Sequence, residues 1–340
     1  MTRSTALVYA SRIDNPQEEP SLVKQASLGI ALAHEGGLVP VVVFDLPAQS
    51  DWSLRAQSTL ALLRDQAACP DIHTIVLSGF AQTAHSITEL ADLALICLNR
   101  GIELTFSDPQ LERYQVRMTQ SMAFLGFVHN QLQRRFPTGA RQALSALFSV
   151  ASGRLLRCAE CDEGFVLSDG WYEHDRSGCA STQSMTDSDV LLELLSLLKP
   201  LTLLRGPKTG KIAHQAQQDL LAAEAQGSGS PLQKLCRLIA LYADHVYGSG
   251  QFEAEIQKLG DSWVPELQQA GRIEIQSPKV LQARVEQAIE MMTNMLDVKP
   301  EHVDCLFGKF LTKVVVREDK VESLDVSPDY RPWFQAAGLV

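Results

Sequence analysis

The chain opens with short apolar runs, separated by segments whose apolar positions recur every three or four residues. Residues 6–10 form a brief apolar strand. Ser21 precedes Val23, Ala26, Ile30 and Ala33, which is one helix face behind an N-cap. Gly36 and Gly37 end that helix, because glycine enters the left-handed conformation at little cost. Residues 39–44 are apolar almost without a break, as in a parallel strand covered on both faces. A helix over 55–64 and a strand over 74–77 follow. Ser86-x-x-Glu89 has the form of a capping box and opens a helix that stops at Arg100-Gly101. Residues 102–106 make a fourth strand, and 111–135 read as one long helix. Strands alternating with helices predict an α/β domain, a parallel sheet with flanking helices.

Beyond residue 186 the rhythm becomes helical. Residues 189–198 are strongly apolar, and 211–226 are amphipathic and polar. Gly227-Ser228-Gly229-Ser230 breaks the pattern, and Pro231, suited to a first helical position, restarts a helix through about 247. Residues 280–296 predict another helix, with Val280, Ala283, Val285, Ile289, Met292 and Leu296 on its apolar face. Residues 312–317 and 321–326 alternate around Glu318-Asp319, the pattern of a hairpin. Three consecutive segments are expected: an α/β domain over 1–135, a cysteine-bearing domain over 136–185, and a helical region with a C-terminal hairpin over 186–340.

Composition narrows the function classes. The 340 residues carry 30 basic and 40 acidic side chains, a formal charge of −10. Binding to nucleic acid draws its affinity largely from neutralised phosphates, so this balance does not support it. Arg134, Arg135, Arg154, Arg157, Arg205, Lys208 and Lys211 are the basic clusters available for a local patch. Met1-Thr2-Arg3 runs into a short strand rather than a long apolar segment, and no stretch reaches the ~20 apolar residues of a membrane span. A cytoplasmic chain without a membrane partner is therefore expected. Gly206-Pro-Lys-Thr-Gly210-Lys211 is no phosphate loop, since its spacing is wrong and Ile212 stands where a hydroxyl is needed.

In a reducing compartment seven cysteines point to metal rather than disulfides. Cys158-x-x-Cys161, followed by His174 and Cys179, suits a tetrahedral structural zinc. Cys69, Cys97, Cys236 and Cys305 stand alone and read as core thiols. His34, His73, His129, His214, His245 and His302 are scattered without a metal-binding spacing.

Val8-Tyr9-Ala10-Ser11-Arg12-Ile13 closes the first strand where a serine recombinase carries Tyr-x-Arg-x-Ser. The order of elements up to residue 135 resembles the resolvase-type catalytic domain. Ala151-Ser-Gly-Arg-Leu-Leu-Arg-Cys158-Ala-Glu-Cys161 is similar to the segment that opens the zinc ribbon of large serine recombinases. Trp171-Tyr172-Glu173-His174 then stands where that family has Tyr-x-Cys, with histidine replacing one thiolate. The chain therefore resembles the large serine recombinases of the resolvase/invertase superfamily. The resemblance implies a resolvase-like sheet, a long dimerising helix over 111–135, and a zinc ribbon bound by Cys158, Cys161, His174 and Cys179. In that family a helical insertion emerges from the zinc domain, so the C-terminal half here is read either as a shortened form of it or as an ordinary helical core.

Where the family has its chemistry, this chain departs from it. The catalytic serine falls at Ile13 and a catalytic arginine at Ser11. Of the family's Asp-Arg-x-x-Arg-Ser only Ser86 remains, since Ala81, Gln82 and His85 replace the aspartate and both arginines. Arg55 is the one match to a further family arginine, and the glutamate expected near 127–130 is absent. Only residues 135–152 separate the two matching regions, so the family's DNA-binding domain is missing. Losing one preorganised charge donor typically costs about 10²- to 10³-fold in rate. The expectation is a degenerate site at Ser11, Ile13, Arg55, Gln82 and His85, and a protein that is not an enzyme. A local shift that makes Ser11 the nucleophile and Arg12 its helper is the alternative, although alternation along a strand turns Arg12 away from Ser11. Three functions remain open: an inactive recombinase relative acting as a binding or assembly factor linked to mobile DNA, a divergent active recombinase, and a structural subunit of a larger complex. The expected partner is another protein or a second copy, met through Met118, Met122, Phe124, Leu125 and Val128 of the long helix.

Overall fold

The structure, a computed structural model, describes residues 5–11, 21–46, 63, 72–77, 97, 100–107, 155–168, 171–174, 179, 183–204, 206–293, 308–317 and 320–340. In chain order the first elements are β1 (Thr5–Ser11), α1 (Leu22–Glu35), β2 (Val39–Asp45), β3 (Ile72–Leu77) and β4 (Glu103–Phe106). Next come β5 (Leu156–Cys158), β6 (Val166–Ser168), β7 (Trp171–His174), β8 (Gln183–Thr186) and α2 (Asp187–Leu198). The 3-10 turn Lys199–Leu204 leads to α3 (Pro207–Ala225), α4 (Pro231–Ala243), α5 (Ser249–Leu259) and α6 (Val264–Ala270). The chain ends with β9 (Arg272–Ile275), α7 (Pro278–Thr293), β10 (Leu311–Arg317), β11 (Lys320–Val326), the 3-10 turn Pro328–Tyr330 and α8 (Arg331–Ala336).

These elements form two compact units that interleave along the chain. One holds residues 1–131 and 213–283, the other 132–212 and 284–340. In the first unit a five-stranded sheet runs in the order β4-β3-β1-β2-β9. β1 lies parallel to β2 and β3, and β3 parallel to β4. Every residue of β1 and β2 is buried, as their unbroken apolar character requires. The Ser21 hydroxyl accepts from the Lys24 N–H at 3.3 Å and caps α1, and Gly37, at φ 69°, turns the chain towards β2. The expected strands and the expected helix after Ser21 are thus present. The long helix over 111–135, the helix over 55–64 and the Ser86-x-x-Glu89 cap lie outside the described residues.

Two features differ from the sequence reading. The sheet is mixed, because β9 joins β2 antiparallel at its edge. Gly271, at φ 68°, ends α6 and turns the chain into β9, while the Leu46 N–H donates to the Gly271 carbonyl at 2.7 Å. Four residues reading Arg-Ile-Glu-Ile carry too little periodicity to announce a strand. The second difference is that 213–283 packs with the sheet rather than in a separate helical region. Ala6, Val8, Ala10, Val42 and Phe44 present one apolar sheet face, and Leu235, Leu238, Ile239 and Tyr242 of α4 share its core cluster. The apolar stripe of α4 is wide and needs such a face. Its start is fixed by Pro231 and by a reciprocal cap between Ser230 and Gln233.

The second unit holds two three-stranded sheets, β11-β10-β5 and β6-β7-β8. The hairpin expected near the C-terminus is β10–β11, paired antiparallel. Its foot is an aromatic cluster: the Phe310 ring lies 4.6 Å from Tyr330 and 6.3 Å from Phe334, centre to centre. The Ser327 N–H donates to the Phe310 carbonyl at 2.7 Å.

In the first unit α1 crosses close over β1. A Cβ placed on Gly29 would stand 2.4 Å from Cγ1 of Val8, a stiff β-branched side chain. Alanine there gains about 1 kcal/mol of helix propensity but overpacks a close contact that typically costs about 1–3 kcal/mol. Gly29→Ala should therefore lower stability in urea unfolding, and less so in a Val8→Ala background than in the wild type.

At the end of α4 the His245 ring stacks on His34 with centres 3.5 Å apart, and His245 itself adopts φ 59°. Nε2 of His34 donates to the Ala243 carbonyl at 3.0 Å. Burial holds the His34 pKa below its usual 6.5; the Ala243 hydrogen bond opposes this, while the neighbouring His245 and Lys279 add to it. Native His34 therefore binds fewer protons than the unfolded chain just below that value. Its contribution to stability is present above pH 6.5 and is lost as the pH falls through the lowered folded value. An imidazole titration followed by NMR should place the His34 midpoint below 6.5, and His34→Gln should flatten the pH dependence of unfolding in that range.

Candidate metal centre

Leu156, Arg157 and Cys158 form β5, and the chain folds back after them in a tight knuckle. The Asp162 N–H donates to the Cys158 carbonyl at 2.9 Å, and the Cys158 N–H donates to the Glu163 carbonyl at 2.9 Å. Asp162 takes φ 58°, a left-handed position that glycine would fill without strain. The turn brings Cys161 back beside Cys158. From the other side comes β7, whose last residue is His174, buried at 4 % exposure with its ring 5.4 Å from that of Phe165. β7 is held between β6 and β8 by antiparallel pairing.

The four side chains converge. Sγ of Cys158 lies 3.8 Å from Sγ of Cys179, and Sγ of Cys161 lies 3.2 Å from Nε2 of His174. All four ligand atoms fall within 4.8 Å of one another. A tetrahedral zinc about 2.3 Å from each thiolate implies S–S separations of about 3.8 Å. The set therefore fits a metal ion of zinc's size and ligand preference, with Cys158, Cys161, His174 and Cys179 as its holders. Four protein ligands fill a tetrahedral shell, the arrangement of structural rather than catalytic sites.

The thiols are electrostatically unequal. Burial pushes Cys158 up, but hydrogen bonds from the backbone of Cys161 and Glu160 and from the thiols of Cys161 and Cys179 outweigh it and hold Cys158 below its ordinary value. Cys161 receives a lowering hydrogen bond from the Glu163 backbone, yet burial and the neighbouring Cys158 and Cys179 leave it raised. One thiolate thus forms readily and resists the next, a charge that a divalent cation neutralises.

Sequence spacing found the four ligands but missed their support. The cysteine-bearing strand is not self-sufficient, because β5 pairs in parallel with β10, Cys158 lying opposite Val316. The Ala159 N–H donates to the Val316 carbonyl at 2.9 Å, and Nζ of Lys313 meets Oδ1 of Asp162 at 2.7 Å. Only the alternating pattern of 312–317 hinted that a strand was on offer. Cys97 and Cys236 are thiols kept from ionising by burial, pushed up to about 12 and about 11.

Of the positions matched to the recombinase site, only Ser11 lies among the described residues; Ile13, Arg55, Gln82 and His85 fall outside them. Ser11 ends β1 opposite Asp45 and is 5 % exposed. Its N–H donates to Oε1 of Gln25 at 3.2 Å, and Nε2 of Gln25 donates back to its carbonyl at 3.1 Å. Beside it the Tyr9 hydroxyl donates to Oδ2 of Asp45 at 2.7 Å. Burial raises the pKa of Asp45, against the lowering effects of the Tyr9 hydrogen bond and the Arg272 charge.

Elemental analysis of the purified chain should find about one zinc per molecule. Structural zinc sites supply ~10–16 kcal/mol of apparent binding energy at neutral pH, so Cys158→Ser should lose the ion and unfold the ribbon that carries it. A metal-free chain with an unchanged melting profile would contradict the assignment.

No family model, curated protein or solved structure matches this chain. Its chemistry is read from its own residues.

Proposed function

We propose that this chain is a catalytically inactive relative of the large serine recombinases, kept as a zinc-stabilised binding or assembly factor linked to mobile DNA or its control. The observation that carries the reading is the state of Ser11. A nucleophile in phosphoryl transfer must meet its phosphate in line. Ser11 is instead buried, and both its backbone groups are taken up by Gln25. Ile13, Gln82 and His85 add the loss of the nucleophile and the arginines at the positions that resemblance assigns to them.

The rest of the reading has its own supports. A sheet with β1 at its centre and neighbours β2 and β3 parallel to it suits a resolvase-like domain. Zinc held by four side chains braces a fold and leaves no position for a substrate. The partner is another protein or a second copy, engaged through 111–135. A formal charge of −10 does not favour DNA as the main ligand. Among the described residues no helix is long and apolar enough to cross a membrane, in keeping with a cytoplasmic role.

Covalent trapping tests the proposal. The zinc-loaded protein, incubated with DNA and quenched in denaturant, should yield no protein–DNA adduct, and Ser11→Ala should leave partner binding unchanged. A DNA strand linked to the Ser11 oxygen would establish the competing reading, a divergent active recombinase.

A further inference from the structure

We infer that metal loading at Cys158, Cys161, His174 and Cys179 controls whether the C-terminal hairpin β10–β11 is docked on β5. The inference rests on the metal-binding reading of that cluster and extends it to a part of the chain that contributes no ligand.

Little holds β5 in place. It is three residues long, and its partner in the sheet comes from the far end of the chain, pairing Leu156 with Val314, Arg157 with Val315 and Cys158 with Val316. Pairing over so long an intervening segment carries a loop-closure cost that three parallel residue pairs offset poorly. The two remaining ties, the Ala159 N–H to the Val316 carbonyl and Lys313 to Asp162, both grip the knuckle rather than the strand. Asp162 is 71 % exposed and Lys313 34 %, so their ion pair is largely screened by water and weak alone. Asp162 also occupies a left-handed backbone position that an aspartate leaves when nothing constrains it. The contacts that add to the three residue pairs therefore depend on the knuckle, and an ion bound by Cys158 and Cys161 would fix its shape beyond the two backbone hydrogen bonds that already close it.

The hairpin, in contrast, keeps its own anchors. β10 and β11 pair with each other along their length. The Phe310, Tyr330 and Phe334 rings close its foot, and the Val321 N–H donates to the Glu193 carboxylate on α2. None of these contacts passes through the knuckle. Metal release is thus expected to free one edge of β10 while the hairpin itself persists. Val314 and Val316, buried at 1 % and 0 % exposure, lie along the strand that loses its neighbour. An unpaired strand edge flanked by valines is a template for pairing with another strand, so metal occupancy would decide whether that edge is open.

Hydrogen exchange on the full-length chain tests this. Metal content is measured first and should be about one ion per chain; a chain that binds none fails the metal reading itself, and the gate with it. The loaded protein is then compared with a chelator-stripped sample. Stripping should speed exchange about tenfold or more at 156–174 and at the amides of β10 that face β5, with β11, α2 and α8 unchanged. A metal-binding chain whose β10 amides are equally protected with and without the ion overturns the inference. So does one in which α2 and α8 open together with the ribbon, because the ion then holds the whole unit rather than the docking of one hairpin. Coupling is reciprocal, so Val316→Ala should weaken apparent metal affinity about fivefold in a chelator competition, though it removes no ligand. Unchanged affinity there also overturns the inference.

Discussion

The complete burial of β1 and β2 is the constraint from which the first unit follows. Two adjacent strands with no exposed residue need cover on both faces. On one face α1 and α4 supply it, one from the start of the chain and one from beyond residue 230. That demand explains why the helices after the Gly-Ser break do not form a domain of their own. It also sets the fate of Ser11. At the end of a central, covered strand, its N–H and carbonyl leave the ladder inside the protein and need partners there. Gln25, one turn into α1, supplies both. The position that resemblance links to chemistry is thus occupied by a packing requirement.

The second unit solves the opposite problem. Its strands β5 to β8 are only three or four residues long, and sheets of three strands with so little length bury little. A cluster of three thiols and an imidazole could hold a metal ion there, which would concentrate in one point the stabilisation that a larger core spreads over many side chains. The same economy leaves the unit dependent on a distant segment: the strand that carries Cys158 is completed by β10. Local ligand geometry and long-range topology are therefore one problem here.

What could be read from the sequence follows from this division. The strands up to residue 106 and α1 were legible because burial on both faces leaves long apolar runs, and Ser21 and Gly37 mark the helix ends. The cluster of Cys158, Cys161, His174 and Cys179 was legible because residue types and local spacing that suit a tetrahedral ion stand out together. The antiparallel β9 was not, since the two-residue period of Arg272–Ile275 runs for only four residues, too few to set a strand apart from a loop. Nor was the pairing of β5 with β10, because Leu156–Cys158 is too short to state a preference and its partner lies near the other end of the chain. Gln25 was invisible for another reason. A glutamine on a buried helix face reads as a defect in an apolar stripe until the backbone groups it serves are located.

That last case sharpens the functional argument. A buried amide fixed on both its donor and acceptor sides is costly to release, since either half left unpaired carries a desolvation penalty of about 1–3 kcal/mol. Shifting the end of β1 would break both hydrogen bonds at once and part Ser11 from Asp45, whose carboxylate accepts from the Tyr9 hydroxyl. The Gln25 contact therefore holds the backbone at the end of β1, and the demand it answers is that of a buried strand end.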